Sequence, residues 1–220
     1  MSPEAVAQDI RAEIAALPRR DTPNLRALRK ARSQALKAAD AAEVVAIARA
    51  LEQASPQEGK WIAYELIRFH PGAFAAVGEA EVSDFASRIA SWYATDAFGT
   101  ILSGPLWARG RISDALIEAW SRSESRWLRR SALVATVGLN ARASPGPDAR
   151  TLAICRRLAA DRDDMVEKAL SWALRFLSQR DRGAVVEFMA EMDQALPARV
   201  KREVRNKLTT GLKTPRASAR

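Results

Sequence analysis

Apolar side chains recur along the chain every three to four residues, which is the spacing of one face of an α-helix. Short breaks of Pro, Gly, Ser or Asp separate these stretches. β-branched residues do not alternate with polar ones, as they do in strands. The pattern therefore predicts an all-α protein of about twelve helices. The predicted helices span residues 3–17, 22–39, 41–54, 56–69, 80–92, 94–103, 112–122, 125–139, 149–160, 163–179, 182–194 and 197–211.

The predicted helices form consecutive pairs that recur at intervals of roughly 35–45 residues, an organisation typical of HEAT- or armadillo-like repeats. We therefore expect a HEAT-like helical-repeat solenoid with a concave basic face, built as a single domain over residues 1–212. A compact helical bundle is the structural alternative. We expect the stretch from Asn140 to Asp148, which contains Ser-Pro-Gly-Pro, to be an exposed loop. Residues 213–220 form a basic tail that we expect to be disordered.

Several single residues support the predicted helix ends or indicate the core. Ser55-Pro56 places Pro at a first helical position, and Asp163 is suited to cap the helix that follows it. His70 is the only histidine, and we expect it to have a capping or surface role. Cys155 is the only cysteine and lies in an apolar stretch, so we expect it in the core, without a disulfide. Because a single His and a single Cys offer few metal ligands, we expect no metal and no cofactor.

The chain is basic, with 35 Lys and Arg against 26 Asp and Glu and a formal net charge of +9. Such an excess suits a polyanionic partner, because phosphates attract it and release their counterions on contact. The alternative is a soluble protein whose basic charge is incidental. A hydrophobic content of 48% excludes the disordered class for most of the chain. Since no stretch resembles a signal peptide or a membrane span, we expect a cytoplasmic protein with no membrane partner.

Trp92 and Asp96 are the first candidates for chemistry. They lie four residues apart, so on a helix the indole and the carboxylate share one face. The alternative is a core Trp beside a helix-capping Asp, since a helix break is predicted inside this segment.

Arg130 is the second candidate, because it falls in an apolar stripe beside Trp127 and Val134, whereas Arg129 points away from Trp127. A guanidinium there needs a partner, since burial of an unpaired charge is costly. The partner is either a structural carboxylate or a phosphate that enters a cleft.

Trp172 is the third candidate, on a helical face shared with Met165, Lys168 and Arg175. An indole flanked by cations is either a core Trp or a stacking surface between phosphate contacts. The last helix carries a run of basic residues, which matches the sign of the whole chain. The candidate cations for binding are Arg129, Lys168, Arg175, Arg202, Arg205 and Lys207.

In order and approximate spacing, these three segments resemble the DNA alkylation-repair family of HEAT-like alkylpurine DNA glycosylases, over roughly residues 20–210. The family carries Trp-x-x-x-Asp, then Trp-x-x-Arg, then Lys-Ala-x-x-Trp-x-Leu-Arg. This sequence departs from the family pattern where Tyr93 and Ala94 replace a second Trp and an Asp, which bears on the substrate range. The matching positions are Trp92 with Asp96, Trp127 with Arg130, and Lys168, Ala169, Trp172, Leu174 and Arg175.

The resemblance implies a DNA glycosylase that excises cationic N3- or N7-alkylated purines from double-stranded DNA by hydrolysis of the N-glycosidic bond. It places Trp92, Asp96, Arg130 and Trp172 in the catalytic cleft. A cationic purine leaves without a general acid, so Asp96 would stabilise the sugar cation and orient water. The two indoles would face the cationic nucleotide and Arg130 would hold a phosphate.

We expect a monomer that associates with the nucleoid. Two alternatives stay open. The first is a non-catalytic helical-repeat protein that binds distorted or branched DNA. The second is a protein-binding scaffold with incidental basic charge.

Overall fold

The computed structural model describes residues 1–55, 57–141 and 149–215. These residues contain helices and no β-strand, which confirms the all-α fold. The helices are α1 (Pro3–Ala16), α2 (Thr22–Ala35), α3 (Ala41–Ala54), α4 (Gln57–Phe69), α5 (Pro71–Ala76), α6 (Glu79–Ser87), α7 (Trp92–Ala97), a π-helical turn (Phe98–Ser103), α8 (Gly104–Ala108), α9 (Asp114–Ser121), α10 (Arg126–Leu139), α11 (Arg150–Arg157), α12 (Asp164–Leu177), α13 (Arg182–Glu191) and α14 (Ala198–Thr210).

Helices α2, α4, the α7–α8 segment, α10, α12 and α14 form a central row in which each member packs against the next. A second series repeats this order, with α1 on α3, α3 on α5, and α9 on α11. Packing between successive neighbours also occurs in helical repeats, and the solenoid stays a prediction with the compact bundle as its alternative. The concave basic face stays a prediction.

Ion pairs between neighbouring helices recur at sequence separations of 34 to 36 residues, close to the lower end of the repeat interval predicted from the sequence. The first pair, between α2 and α4, is buried on both sides. Such pairs tie each unit to the following one and indicate a structural repeat of about 35 residues. The partners lie 36 residues apart in Arg29–Glu65, 34 in Asp96–Arg130 and 35 in Arg156–Glu191.

The prediction was wrong between residues 80 and 108, where it placed a helix end after Trp92 and another at residue 103. Helix α6 ends at Ser87, and Ser91 begins a new helix, because its Oγ accepts a hydrogen bond from the Ala94 amide at 3.3 Å. That helix then continues past Pro105 to the end of α8. Pro105 has no N–H to donate, and the wider π-helical turn before it accommodates the proline ring. The short helix α5 was also missed.

Three local predictions are confirmed. His70 caps α5, because its Nδ1 accepts from the Ala73 amide at 3.0 Å. Asp163 caps α12, with its Oδ1 accepting from the Met165 amide at 2.8 Å. Cys155 is fully buried in the core.

Other predictions fall partly or wholly on residues that the structure does not describe. Pro56, most of the predicted loop at residues 142–148, and residues 216–220 of the basic tail lie outside the described ranges. At the start of that tail, the Lys213 carbonyl oxygen accepts a hydrogen bond from Asn206 Nδ2 at 3.1 Å. Among the described helices, none is long and apolar enough to cross a bilayer.

Candidate active site

Asp96 and Arg130 contact each other directly. Arg130 Nε donates to Asp96 Oδ1 at 3.0 Å, and Nη2 donates to Oδ1 at 2.7 Å and to Oδ2 at 3.0 Å. The remaining Arg130 nitrogen, Nη1, donates to the Met165 carbonyl oxygen at 2.5 Å. The Arg130 side chain is only 6% exposed, whereas that of Asp96 is 24% exposed. The sequence left open whether Arg130 pairs with a carboxylate or with a phosphate. In the structure its partner is the carboxylate of Asp96.

A close crossing between the α7–α8 segment and α10 brings this pair together. A Cβ on Gly99 would lie 2.6 Å from Val134 Cγ1, and a Cβ on Gly138 would lie 2.5 Å from the Gly99 carbonyl oxygen. Only glycine allows the two backbones to approach so closely. Asp96 lies one turn before Gly99, and Arg130 lies one turn before Val134. The crossing therefore sets the distance between the carboxylate and the guanidinium.

Burial and pairing act in opposite directions on the Asp96 carboxyl group. Burial raises the pKa of Asp96 above its ordinary value, and the charge and hydrogen bonds of Arg130 lower it in part. The ionised form of Asp96 therefore depends on Arg130.

Trp92 is the first residue of α7, one turn before Asp96, and its side chain is 53% exposed. Trp92 and Asp96 lie on one helix, as their four-residue spacing predicted, although the predicted helix bounds separated them. Neither part of the alternative holds, since Trp92 is not in the core and Ser91 caps the helix. The Tyr93 ring lies edge-on to the indole, with 5.9 Å between ring centroids.

Trp172 is half-buried on α12, and Trp127 is half-buried on α10. Helix α10 packs against both α7 and α12, so the helices that carry Trp92 and Trp172 flank it. Arg130 joins all three helices, because it contacts Asp96 on α7 and a backbone carbonyl in the first turn of α12.

Arg129 and Lys168, two of the candidate DNA contacts, form ion pairs within the protein. Arg129 Nε donates to Asp161 Oδ2 at 2.7 Å, and its Nη1 donates to the carbonyl oxygens of residues 123 and 124. Lys168 Nζ lies 2.7 Å from Asp164 Oδ2, although 44% of the lysine side chain remains exposed.

Arg175 lies inside the packing between α12 and α14. Its Nε donates to Ser171 Oγ at 3.1 Å and lies 3.9 Å from Glu203 Oε2, and the side chain is 17% exposed. Burial lowers the pKa of the Arg175 guanidinium. Arg175 therefore contributes to helix packing at this point.

The three cations on α14 differ in how they are engaged. Arg205 Nη2 donates to Asp193 Oδ1 at 2.9 Å, and Lys207 Nζ donates to the Gly211 carbonyl oxygen at 2.7 Å. Arg202 is exposed and has no ion-pair or hydrogen-bond partner among the described residues. Of the six candidate cations, Arg202 is the one that the described part of the protein leaves available.

Sequence reasoning missed several contributors to this site. The Met165 carbonyl is a backbone acceptor, which no residue type identifies. Asp164 pairs with both Lys168 and Arg199, and these cations lower the pKa of its carboxyl group to about 2. Gly138 carried a usable signal, because an isolated glycine inside a helical pattern often marks close packing. No group of three possible metal ligands forms within the described residues.

Comparison with known proteins supports the family resemblance seen in the sequence. No curated protein matches the chain at a significant level. The family model described as DNA alkylation repair enzyme matches residues 21–208, a range that contains Trp92, Asp96, Arg130 and Trp172. Since the match extends over most of the chain, the protein belongs to the family of DNA alkylation repair enzymes.

Proposed function

We propose that the protein is a DNA glycosylase that releases cationic N3- and N7-alkylated purines from double-stranded DNA. The observation that carries this proposal is the placement of a partly buried carboxylate, Asp96, one turn from the exposed indole of Trp92. Binding of phosphates gains nothing from a carboxylate in the cleft, whereas cleavage of a glycosidic bond does.

The chemistry needs no general acid. An N3- or N7-alkylated purine is already cationic, so it departs as a neutral base and leaves positive charge on the sugar. A carboxylate beside that sugar stabilises the developing cation, and an oxygen lone pair that Arg130 does not use is available to orient water. Partial burial of Asp96 strengthens this electrostatic effect, since bulk water screens it less.

Arg130 acts in this scheme as a positioning residue. All three of its nitrogens donate hydrogen bonds inside the protein, and its side chain is almost fully buried. We therefore assign to Arg130 the task of keeping Asp96 ionised and fixed to α12, instead of the phosphate contact expected from sequence. A bidentate arginine–carboxylate pair has the geometry for this task.

Trp92 and Trp172 supply the aromatic surfaces for the lesion. The π face of an indole attracts a cation, and each such contact contributes ~0.5–2 kcal/mol. Trp92 is the more exposed of the two, so we assign it the larger share of contact with the cationic nucleotide.

Phosphate contacts with the duplex follow the availability of the cations. Arg202 is available as it stands, while Lys168 and Arg205 are exposed enough to exchange a carboxylate for a phosphate. The other three candidate cations are less exposed and also hydrogen-bonded inside the protein, so we rank them below Arg202, Lys168 and Arg205 as DNA contacts. The bonds concerned are Arg129–Asp161, Arg175–Ser171 and Lys207–Gly211.

One observation favours a second candidate, a protein that binds distorted DNA without excision. Arg130 compensates the charge of Asp96, as in a purely structural ion pair. A base-release assay separates the two functions. The protein is incubated with duplexes that contain 7-methylguanine or 3-methyladenine, with a duplex carrying the uncharged lesion O6-methylguanine as the control. The glycosylase proposal predicts release of the cationic bases alone. Tight duplex binding without any release would contradict it and establish the second candidate.

A further inference from the structure

Two arginines converge on the ring of Phe74, at the end of the α7–α8 segment opposite Trp92. Arg68 lies in the last turn of α4, and Arg109 directly follows α8. Their guanidinium carbons lie 4.6 Å and 5.1 Å from the Phe74 ring centroid. Both cations therefore use the same aromatic ring, which is itself only 8% exposed.

Within the described ranges, no carboxylate compensates the charge of this pair. Neither Arg68 nor Arg109 has an acidic partner within ion-pair distance among the described residues. The one side-chain hydrogen bond of Arg109 within these residues goes to the Pro105 carbonyl oxygen at 3.3 Å. Arg68 is half-buried and Arg109 is exposed, so Arg68 differs from the buried Arg130, which is paired with Asp96. Burial and the charge of Arg109 lower the pKa of Arg68, which is the expected effect of a like charge without a counterion.

The helix ends account for only part of this arrangement. The carbonyl end of a helix attracts a cation, so one arginine after α4 and one after α8 are each favourable. That attraction does not explain why both guanidiniums lie over one ring, since the repulsion between them opposes it. An anion between or beside them would remove the repulsion.

We propose that Arg68 and Arg109, supported by Phe74, form a phosphate-binding site that takes a backbone phosphodiester of duplex DNA outside the lesion cleft. The identity of this partner rests on the proposed function. Guanidinium groups bind phosphate oxygens through paired hydrogen bonds, and a ring held between chain segments fixes their position. Arg111 adds an exposed cation at the same helix end, where Gly110 turns the chain with a φ of 65°.

The position of this site gives it a distinct role. The helix from Trp92 to Ala108 is ~25 Å long at the rise of an α-helix, so the site lies about that far from the indole. Arg68 and Arg109 would therefore hold a part of the duplex other than the lesion itself, and their loss should weaken binding without slowing the chemical step.

The test compares the wild type with the double variant Arg68→Gln/Arg109→Gln. A control of equal charge is Arg11→Gln/Arg122→Gln, because Arg11 is an exposed residue of α1 and Glu118, the partner of Arg122, also pairs with Arg157. Duplex affinity is measured between roughly 50 and 200 mM salt, and the logarithm of affinity is plotted against the logarithm of salt concentration. The slope of this plot falls in magnitude by roughly one for each phosphate contact that is lost. We expect the slope to fall in magnitude by about 1–2 in the Arg68/Arg109 variant and by less in the control.

Two further readouts keep the proposal falsifiable. Weaker duplex binding in the Arg68/Arg109 variant should raise the enzyme concentration needed for half-maximal single-turnover release of 7-methylguanine. Its Tm should change little, because removal of the repulsion offsets the lost contacts with Phe74. A lower Tm with an unchanged salt slope would show a structural pair and overturn the proposal. If the wild type releases 7-methylguanine and both double variants show the same salt slope, the phosphate site is overturned and the glycosylase function stands. A reduced slope without any release by the wild type would support the phosphate site and contradict the glycosylase function.

Inorganic phosphate separates a DNA site from a site for a free anion. Tm is measured with phosphate and with chloride at equal ionic strength. We expect phosphate to raise the Tm of the wild type and not that of the Arg68/Arg109 variant. Together with a changed salt slope for duplex binding, this result supports the phosphate site. The same rise with an unchanged duplex slope would assign the site to a free phosphate and overturn its assignment to DNA.

Discussion

Arg130 controls both the charge and the position of the proposed catalytic carboxylate. Release of the base requires ionised Asp96, so the rate falls as the pH drops through the pKa of Asp96. Burial already raises that pKa, and Arg130 holds it down in part. The acid limb of the pH–rate profile should therefore lie above the range of an ordinary aspartate.

The variant Arg130→Gln removes the interactions that lower the pKa of Asp96. We expect the acid limb to move to higher pH, and on that limb the ionised fraction of Asp96 falls about tenfold for each pH unit by which the pKa rises. The single-turnover rate should recover partly as the pH is raised. The measurement is the pH dependence of 7-methylguanine release. A uniform loss at every pH would show that Arg130 has a structural role alone.

Trp92 is exposed, so its removal separates lesion recognition from folding. The variant Trp92→Ala should lose ~1–2 kcal/mol of transition-state stabilisation for a cationic base, about a tenfold lower rate. Its free energy of unfolding should stay within ~0.5 kcal/mol of the wild type. Trp92→Phe, which keeps an aromatic face, should retain part of the rate. Equal rates for the wild type and Trp92→Ala would refute the aromatic contact.

At the scale of residues, the sequence predicted which helical face a side chain occupies better than it predicted which residue that side chain contacts. The four-residue spacing of Trp92 and Asp96 indicated one helical face, although the predicted helix bounds placed them in different helices. The apolar stripe around Arg130 was enough to predict its burial and its need for a partner. That partner lies 34 residues away and depends on how two helices cross, so no local pattern identifies it.

At the scale of elements, the glycine crossing between the α7–α8 segment and α10 positions the site. Gly99→Ala would bring a Cβ to 2.6 Å from Val134 Cγ1 and to 2.9 Å from a backbone carbon, so the helices must separate. We expect a loss of ~1–3 kcal/mol in the free energy of unfolding from this overpacking, together with a lower rate of base release.

The matched control for this change is Gly183→Ala in α13. The nearest atom to a Cβ on Gly183 is Asp181 Oδ1 at 3.7 Å, an ordinary contact distance. Alanine favours a helix over glycine by ~1 kcal/mol, so this variant should be neutral or more stable. Urea denaturation measures both variants. Equal stability changes for Gly99→Ala and Gly183→Ala would contradict the close crossing.

The elements that sequence predicted well are those with a complete apolar stripe and clear ends. Helix α10 was predicted at residues 125–139 and spans Arg126–Leu139. The prediction of helix bounds between residues 88 and 108 was wrong for two physical reasons. Ser91 starts a helix in the middle of an apolar pattern, and Pro105 normally ends a helix but follows a π-helical turn here. Both outcomes depend on hydrogen bonds that residue spacing does not encode.

At the scale of the whole molecule, net charge overstates the cations that are available to a partner. Ion pairs inside the protein engage several of the cations that sequence placed at a DNA interface, including Arg129 and Lys168. The formal net charge of +9 is a sum over the whole chain. Fewer cationic side chains than this sum suggests are free to contact a partner. Arg202 is the clearest of these among the described residues.

Arg202→Gln and Arg129→Gln should therefore behave differently. Arg202→Gln should weaken duplex binding and reduce the salt slope by about 1, with no change in Tm. Arg129→Gln leaves Asp161, which is 12% exposed, without its charged partner, so it should lower the free energy of unfolding by ~1–3 kcal/mol. Fluorescence anisotropy and thermal denaturation measure the two effects. A loss of salt slope in Arg129→Gln at unchanged stability would return Arg129 to the DNA interface.

The most direct test of the central claim is single-turnover release of 7-methylguanine by the wild type, Asp96→Asn and Glu65→Gln. Glu65→Gln is the matched control, because Glu65 also pairs with a buried arginine and burial also raises its pKa. Both variants leave an arginine unpaired, and both should lose stability, so release is measured at a temperature where each is folded. We predict that Asp96→Asn loses at least ~100-fold in rate while its duplex affinity is retained, and that Glu65→Gln keeps the wild-type rate. Release by Asp96→Asn at the wild-type rate would contradict the assignment of Asp96 as the catalytic carboxylate.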